Sequence, residues 1–327
     1  MGPLPPRLAA ALRWVWCVLP VLLLAPLALG MGSAEIGADS VLDGRRLCLL
    51  SRNSLHLAAV ATALGLLWGV PIGLAAARLE GARGRVLLLA VAATPVFLPP
   101  PVLAVAAIRL FGPVGWFTTL LSGGQRTFPI AEQIDSLASP LPGAPIYTLS
   151  GGGFVLAWAL SPLVALAATI GGLRAGRAEE EAALLECSSP AVLARMSLPA
   201  ALGGVAAGAA LVFLFAMTEF GAPESLRSLP VLVSEVYVQF GVYHDTRRAM
   251  GASLVLSGLA LAGVGLAALL AWVLRRGREQ EVAEDDDGAP PALGRSWAGR
   301  ATRALAWLLA VGATGGALGV LVATATG

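Results

Sequence analysis

The sequence has 327 residues, of which 57% are hydrophobic and only 13% are charged, against about 25% charged residues in an ordinary soluble domain. Apolar runs of about 20 residues recur along it, and each is long enough to cross about 30 Å of hydrocarbon. These proportions exclude a soluble globular protein and predict an all-α, polytopic bundle surrounded by membrane lipid. The formal net charge of +2 is nearly balanced, so the placement of the charges is more informative than their total. No nucleic-acid partner is expected.

All 22 basic residues are arginine, because the sequence contains no lysine. A P-loop nucleotide site needs a lysine to reach the terminal phosphates, so any ATP that drives this protein is expected to be hydrolysed by another polypeptide. The three cysteines fall in different compartments of the topology below, and the two histidines are isolated. We therefore expect no intrachain disulfide, no metal, no cofactor and no catalytic residue.

Seven apolar spans are predicted, at about 14–31, 56–77, 86–108, 152–173, 200–218, 250–274 and 304–324. The first is either a retained helix, which its length favours, or a cleaved signal peptide. If the N-terminus is cytoplasmic, 14 of the 22 arginines fall on the inner side, and the short loop 78–85 is the clearest inner marker. The sequence thus predicts a multi-pass protein of the bacterial inner membrane with a cytoplasmic N-terminus.

Four regions follow from these spans. Residues 1–55 hold the N-terminal span and an outer loop, and residues 56–274 form the core. Residues 275–303 are a charged cytoplasmic linker, and 304–327 form an extra C-terminal helix. Glycines four residues apart, as at 65, 69 and 73, allow helix backbones to approach closely, either within one subunit or at a subunit interface.

The most informative segment is the cytoplasmic loop between the fourth and fifth spans, residues 174–199. Three glutamates at 179–181 favour a helix start, since carboxylates stabilise the positive end of the dipole. After about Glu186, Ser188 or Ser189 is expected to cap a second short helix that Pro199 ends. Two short helices at a membrane surface form either a docking element for a partner or an ordinary amphipathic connector.

This segment resembles the coupling loop of binding-protein-dependent ABC importer permeases. The family pattern is Glu-Ala-Ala, three residues, Gly, about nine residues, an aliphatic residue, one residue and Leu-Pro. This sequence supplies Glu181, Ala182, Ala183, Ser189, Pro190, Arg195, Leu198 and Pro199. Cys187 occupies the glycine position and the spacing to Leu-Pro is one residue shorter. Because cysteine makes a left-handed turn more costly, an altered coupling geometry is expected.

The resemblance implies the type I ABC importer permease fold and a subunit that performs no chemistry itself. In such families the loop seats in a groove of a separate ATP-hydrolysing subunit. Two permease halves, identical or different, would form the translocation path, and an extracytoplasmic binding protein would deliver the solute. A secondary transporter is the alternative from another class. It is less favoured because charged residues are almost absent from the span interiors.

Further stretches of the sequence resemble this family and bear on which solute is transported. Residues 53–78 are similar to the second-span pattern of these permeases, and 97–102 and 110–116 resemble the ferric-iron-type branch. The residues Glu219, Phe220, Gly221 and Pro223 resemble a short helix break found in the iron, sulfate and molybdate branches. Ferric iron is therefore the expected substrate, with polyamine, thiamine, sulfate and molybdate as alternatives. The break would place Glu219 either beside the translocation path or at the solvated outer interface.

The C-terminal helix has two interpretations. Residues 300–309 loosely repeat the pattern of residues 7–16, and iron-type permeases commonly fuse two homologous halves. Residues 304–324 are thus either the first helix of a second half, truncated or encoded separately, or an ordinary seventh helix.

Overall fold

The computed structural model describes residues 44–79, 82–112, 115, 145–173, 177–275 and 297–325, and every regular element in these ranges is helical. The all-α prediction is confirmed. In chain order the helices are α1 (Gly44–Ala77), α2 (Ala82–Ala93), α3 (Pro100–Phe111), α4 (Leu149–Gly172), α5 (Arg177–Glu186), α6 (Ser189–Val192), α7 (Leu198–Thr218), α8 (Gly221–Ser225), α9 (Leu232–Gly241), α10 (Thr246–Arg275) and α11 (Trp297–Ala325). Short 3-10 turns precede α3 and α4, at Thr94–Phe97 and Pro145–Tyr147, and a π-helical turn, Leu193–Ser197, joins α6 to α7.

Four described segments are long and apolar enough to cross a membrane: Gly44–Ala77, Leu149–Gly172, Leu193–Thr218 and Thr246–Val273. They contain or coincide with the second, fourth, fifth and sixth predicted spans. The first predicted span, 14–31, and most of the charged linker lie outside the described residues. The seventh predicted span falls within α11.

The third predicted span, 86–108, is not one straight helix. Ala82–Phe97 and Pro100–Phe111 meet at an angle of 94°. Three consecutive prolines, 99–101, explain the bend, because proline offers no N–H for a helical hydrogen bond and disfavours helical geometry in the residue before it. Hydropathy averaged over the stretch is insensitive to this break.

Helix α1 begins well before the predicted span and includes residues 44–55, which were expected to be an outer loop. Its 34 residues are about 51 Å long, so its first turns extend beyond a hydrocarbon layer of about 30 Å. These turns are held by α9 and the segment before it. Arg46 forms a 2.8 Å ion pair with Glu235, and the Asn53 amide donates to the Pro230 carbonyl at 2.9 Å. Glu235 is buried in α9.

Helices α1, α4 and α7 pack closely around the largest apolar core. A Cβ atom added at Gly69 would lie 2.6 Å from the Ser161 carbonyl oxygen, and one at Gly208 would lie 2.8 Å from the Val164 Cα. No real side chain tolerates such separations. These glycines therefore allow close helix packing within one subunit. This agrees with the first of the two interpretations given above for the glycine spacing.

Gly69→Val is expected to lower the free energy of unfolding by about 1–3 kcal/mol, the usual cost of overpacking a well-packed core. Gly251→Val in α10 is the matched control, because a Cβ atom at Gly251 would meet nothing within 4 Å. Thermal unfolding of both purified variants in detergent measures the difference. Equal melting temperatures for the two variants would contradict the packing described here.

Candidate functional site

The coupling loop folds as two short helices joined by a tight turn. Helix α5 ends at Glu186, where the Cys187 N–H donates to the Ala183 carbonyl at 2.8 Å. Helix α6 begins at Ser189, and the Ser188 carbonyl accepts from the Val192 N–H at 3.1 Å. The structure therefore contains the helix, turn and second helix that the sequence predicts between the fourth and fifth spans.

The second short helix does not end at Pro199, as was predicted. Instead it continues through the π-helical turn Leu193–Ser197 into α7, and Ser197 and Leu198 both keep helical backbone angles. The Leu198 N–H donates to the Leu193 carbonyl, five residues back. A wider π turn gives room for Pro199, whose ring would clash with a carbonyl in a regular α-helix. Helix α6, the π turn and α7 thus form one continuous helix, and α5 is joined to it by the turn at Cys187 and Ser188.

Cys187 does not adopt the left-handed conformation that glycine would favour. The non-glycine residues with positive φ among the described residues are Arg227, Ser228 and His244. The expected conformational cost of cysteine at this position therefore does not arise. Cys187 is a free, exposed thiol at the tip of the turn.

A buried ion pair attaches the coupling loop to the end of α1. The Arg78 guanidinium donates to Glu180 Oε1 at 2.6 Å, and the two side chains are only 2% and 3% exposed. The Ser197 hydroxyl donates to the same carboxylate oxygen at 2.6 Å, and Arg78 also donates to the Leu74 carbonyl at 3.2 Å. We call Arg78, Glu180 and Ser197 the anchor cluster. Buried charges of this kind are tolerated only when they are paired and hydrogen-bonded.

The anchor cluster joins three parts of the molecule: the end of α1, helix α5 and the π turn that leads into α7. Sequence reasoning missed it. Arg78 served there only as a marker of the inner side, and Glu181 was chosen from the three adjacent glutamates. The structure buries Glu180 and exposes Glu181. The sequence did contain a signal for this ion pair: Arg78 directly follows a long apolar span, and three glutamates lie in the next inner loop.

The opposite face of α5 points away from the bundle. Glu181, Ala182, Leu185 and Glu186 are all exposed, and their spacing of three and four residues places them on one side of the helix. Leu185 is 89% exposed. The outward face of α5 therefore presents one large apolar side chain, Leu185, between exposed carboxylates.

The remaining predicted residues of the loop are placed as follows. Ala183 and Pro199 are half-buried, whereas Arg195 and Leu198 are exposed. Ser189 and Pro190 form the first turn of α6, but their side chains lie outside what the structure describes. The outward face thus extends from α5 towards the π turn.

The second predicted site is the helix break after α7. Helix α7 ends at Thr218, and Glu219 Oε1 accepts from the Gly221 N–H at 3.0 Å at the start of α8. Phe220 stacks on Tyr237 with ring centroids 4.2 Å apart, while Pro223 is buried. Glu219 is half-buried and its carboxylate accepts this backbone hydrogen bond, so it is not a freely solvated side chain.

A stripe on α7 leads to this break. Leu211, Phe215 and Thr218 follow at spacings of four and three residues, and all three are exposed. Leu211 is 43% and Phe215 is 48% exposed. The structure therefore places the break at the end of an apolar helix face that nothing in the described chain covers.

Similarity to known proteins identifies the family of this chain. The chain is 32% identical over 219 residues to a probable molybdenum ABC transporter permease protein of Haloferax volcanii, covering 65% of this chain and 71% of that protein. The chain belongs to the ABC transporter permeases. It is also 30% identical over 225 residues to the molybdenum transport system permease protein ModB of Mycobacterium tuberculosis, covering 65% of this chain and 76% of that protein.

A further permease relative is the molybdate/tungstate transport system permease protein WtpB of Pyrococcus furiosus, which is 26% identical over 232 residues and is matched over 69% of this chain and 78% of its own length. No protein-family profile matches the chain. Among solved structures, a bacterial ABC transporter involved in alginate import superposes with a TM-score of 0.53 at 15% identity, over 82% of this chain and 99% of that one. This likeness shows the ABC permease fold.

The expected placement in the ferric-iron-type branch is not supported. The permease relatives carry molybdenum or molybdate/tungstate names. The stretches that suggested iron are 97–102 and 110–116. The first surrounds the bend between α2 and α3, and the second begins at the end of α3. Residues 113, 114 and 116 lie outside the described residues. Bends and helix ends of this kind are set by backbone geometry, which does not distinguish one cargo from another.

Proposed function

We propose that this permease is the membrane-spanning subunit of an ATP-driven importer for molybdate or tungstate. The observation that supports the cargo is the similarity to permeases named for molybdenum, molybdate and tungstate, two of them at 30% identity or more. Molybdate was one of the alternatives that the helix break after α7 left open. In this proposal the chain performs no chemistry, and a separate subunit hydrolyses ATP.

The coupling loop supports the proposed mode of energy transfer. Its inner side is fixed by the anchor cluster, and its outward side offers Leu185 to a partner. Helix α6 continues into α7 without a break, and the anchor cluster attaches α5 to the end of α1 and to the π turn. A force on α5 would therefore reach both α1 and α7. The proposed partner at this surface is the ATP-binding subunit on the cytoplasmic side of the inner membrane.

The apolar stripe on α7 supports a second permease half, either an identical copy or a different chain. Leu211 and Phe215 would be covered by that half, and the translocation path would run between the two. We propose that Glu219, Phe220, Gly221 and Pro223 border this path at the end of the stripe. An extracytoplasmic binding protein would deliver the oxyanion to that end.

Uptake of radiolabelled molybdate tests the proposed cargo. We expect the permease, expressed with its ATPase and binding protein, to restore uptake in a host that lacks its own molybdate importer. Excess tungstate should compete with molybdate, because it is an oxyanion of the same charge and similar shape. Ferric iron should not compete, because a site that binds a doubly charged oxyanion does not bind a cation. Restored iron uptake without molybdate uptake would contradict the cargo while leaving the ABC permease assignment intact.

A further inference from the structure

Hydrogen bonds and buried alanines attach helix α11 to the bundle. The Trp158 indole N–H donates to the Ala313 carbonyl at 2.9 Å, and the Thr314 hydroxyl donates to the Val91 carbonyl at 2.6 Å. Ala306 and Ala310 are fully buried against α1 and α2. Despite this attachment, α11 does not close against the rest of the bundle. A cavity of about 770 Å³ separates part of it from α1, α3 and α4.

The wall opposite α11 is aromatic. Phe154 contacts Trp68 and Phe111 edge to face, with ring centroids 5.3 Å and 5.6 Å apart, and Trp158 lies 6.4 Å from Phe154. These rings are packed against one another and cannot easily collapse into the empty volume. Apolar cavities of this kind hold water poorly.

Four of the eight α11 residues that line the cavity are glycines. Gly312, Gly315, Gly316 and Gly319 line the cavity, and a Cβ atom at Gly312, Gly315 or Gly319 would meet nothing within 4 Å. The volume is therefore present because α11 carries hydrogen atoms where other residues would carry side chains. At Gly69 in α1 and Gly208 in α7, by contrast, a neighbouring helix occupies the space that a side chain would need.

The dimensions of the cavity suit a single chain of methylene groups. From Leu308 to Gly319 the helix rises about 16 Å, which is about half of a hydrocarbon layer of about 30 Å. Leu308 is 70% exposed and Gly312 and Gly315 are exposed, so the cavity opens on the surface of the bundle.

One cationic side chain lies at the rim. Arg109, in the last turn of α3, lines the cavity and is exposed. Within the described chain it has no hydrogen bond or ion pair. A guanidinium group matches the geometry of a phosphate group and can bind it through paired hydrogen bonds. We propose that the cavity holds one acyl chain of an anionic phospholipid whose phosphate pairs with Arg109.

Photolabelling tests the site. The full-length chain would be placed in phosphatidylcholine vesicles that contain a small fraction of phosphatidylglycerol with a photoreactive acyl chain. We expect labelled peptides from α11 and from the Phe154–Trp158 region of α4. Gly315→Leu should reduce labelling about tenfold, because the new side chain displaces at least two methylene groups of the lipid.

Matched variants separate the two parts of the proposal. Gly258→Leu in α10, where a Cβ atom would also meet nothing within 4 Å, should leave labelling unchanged. Arg109→Gln should reduce labelling by phosphatidylglycerol but not by a phosphatidylcholine carrying the same photoreactive chain, whereas Arg52→Gln, on exposed α1 surface away from the cavity, should change neither. Equal labelling of Gly315→Leu and the unaltered chain would overturn the proposal. So would a disulfide between cysteines placed at positions 22 and 315, which would show that the first predicted span fills the cavity.

Discussion

Glu180→Ala is expected to lower the free energy of unfolding by about 3–5 kcal/mol, the usual result of removing one partner of a buried ion pair. The substitution leaves the Arg78 guanidinium, 2% exposed, with the Leu74 carbonyl as its remaining acceptor among the described residues. The Ser197 hydroxyl loses its acceptor as well. Thermal or chemical unfolding of the purified protein in detergent measures the loss.

Glu181→Ala is the matched control, because the neighbouring carboxylate is exposed. It should shift the melting temperature little, since surface substitutions rarely change stability by more than about 0.5 kcal/mol. A double variant, Arg78→Met with Glu180→Leu, should recover most of the stability, because an apolar pair can replace a buried salt bridge. Equal destabilisation by Glu180→Ala and Glu181→Ala would contradict the anchor cluster.

Leu185→Asp is expected to abolish retention of the ATP-binding subunit without unfolding the permease. Burying a leucine side chain at an interface contributes about 1.5–3 kcal/mol, so its loss alone weakens binding about tenfold to a hundredfold. The new carboxylate adds a desolvation cost in the same groove. Because Leu185 is 89% exposed in the free chain, the substitution should change the folding stability of the permease little. Co-purification of the ATPase with the tagged permease measures the effect.

Leu185→Met serves as the control for this experiment, since a volume-conserving apolar exchange usually costs less than about 1.5 kcal/mol. It should retain the ATPase to nearly the normal extent. Both variants should melt at the temperature of the unaltered chain. Full retention of the ATPase by Leu185→Asp would show that the outward face of α5 is not the docking surface.

The coupling loop shows how far sequence reasoning reached. Its two helices follow from local rules: glutamates at a helix start, a serine before a proline, and an apolar span after Leu198. Which glutamate faces inward is not local, because Arg78 lies 102 residues away in the chain. Three adjacent identical residues give no periodic signal, so only the packed structure distinguishes Glu180 from Glu181.

The other differences also come from long-range packing or from geometry that hydropathy ignores. Residues 44–55 contain arginines, which made them look like a loop, yet the Arg46–Glu235 ion pair joins them to α9. The bend after Phe97 was marked by three prolines, but the average hydropathy on either side still suggested one span. The cavity beside α11 depends on glycines whose surroundings are not encoded near them in the chain.

Cross-linking from Cys187 tests the central claim that the coupling loop docks a separate ATP-hydrolysing subunit at the cytoplasmic face. Cys48→Ser removes the other exposed thiol of the described chain, and a thiol-to-amine cross-linker is then added to inside-out membrane vesicles. The account predicts a product that contains the permease and the ATPase, and predicts its loss in Cys187→Ser. Reaction of Cys187 only in right-side-out vesicles, or a product without any ATPase, would contradict it.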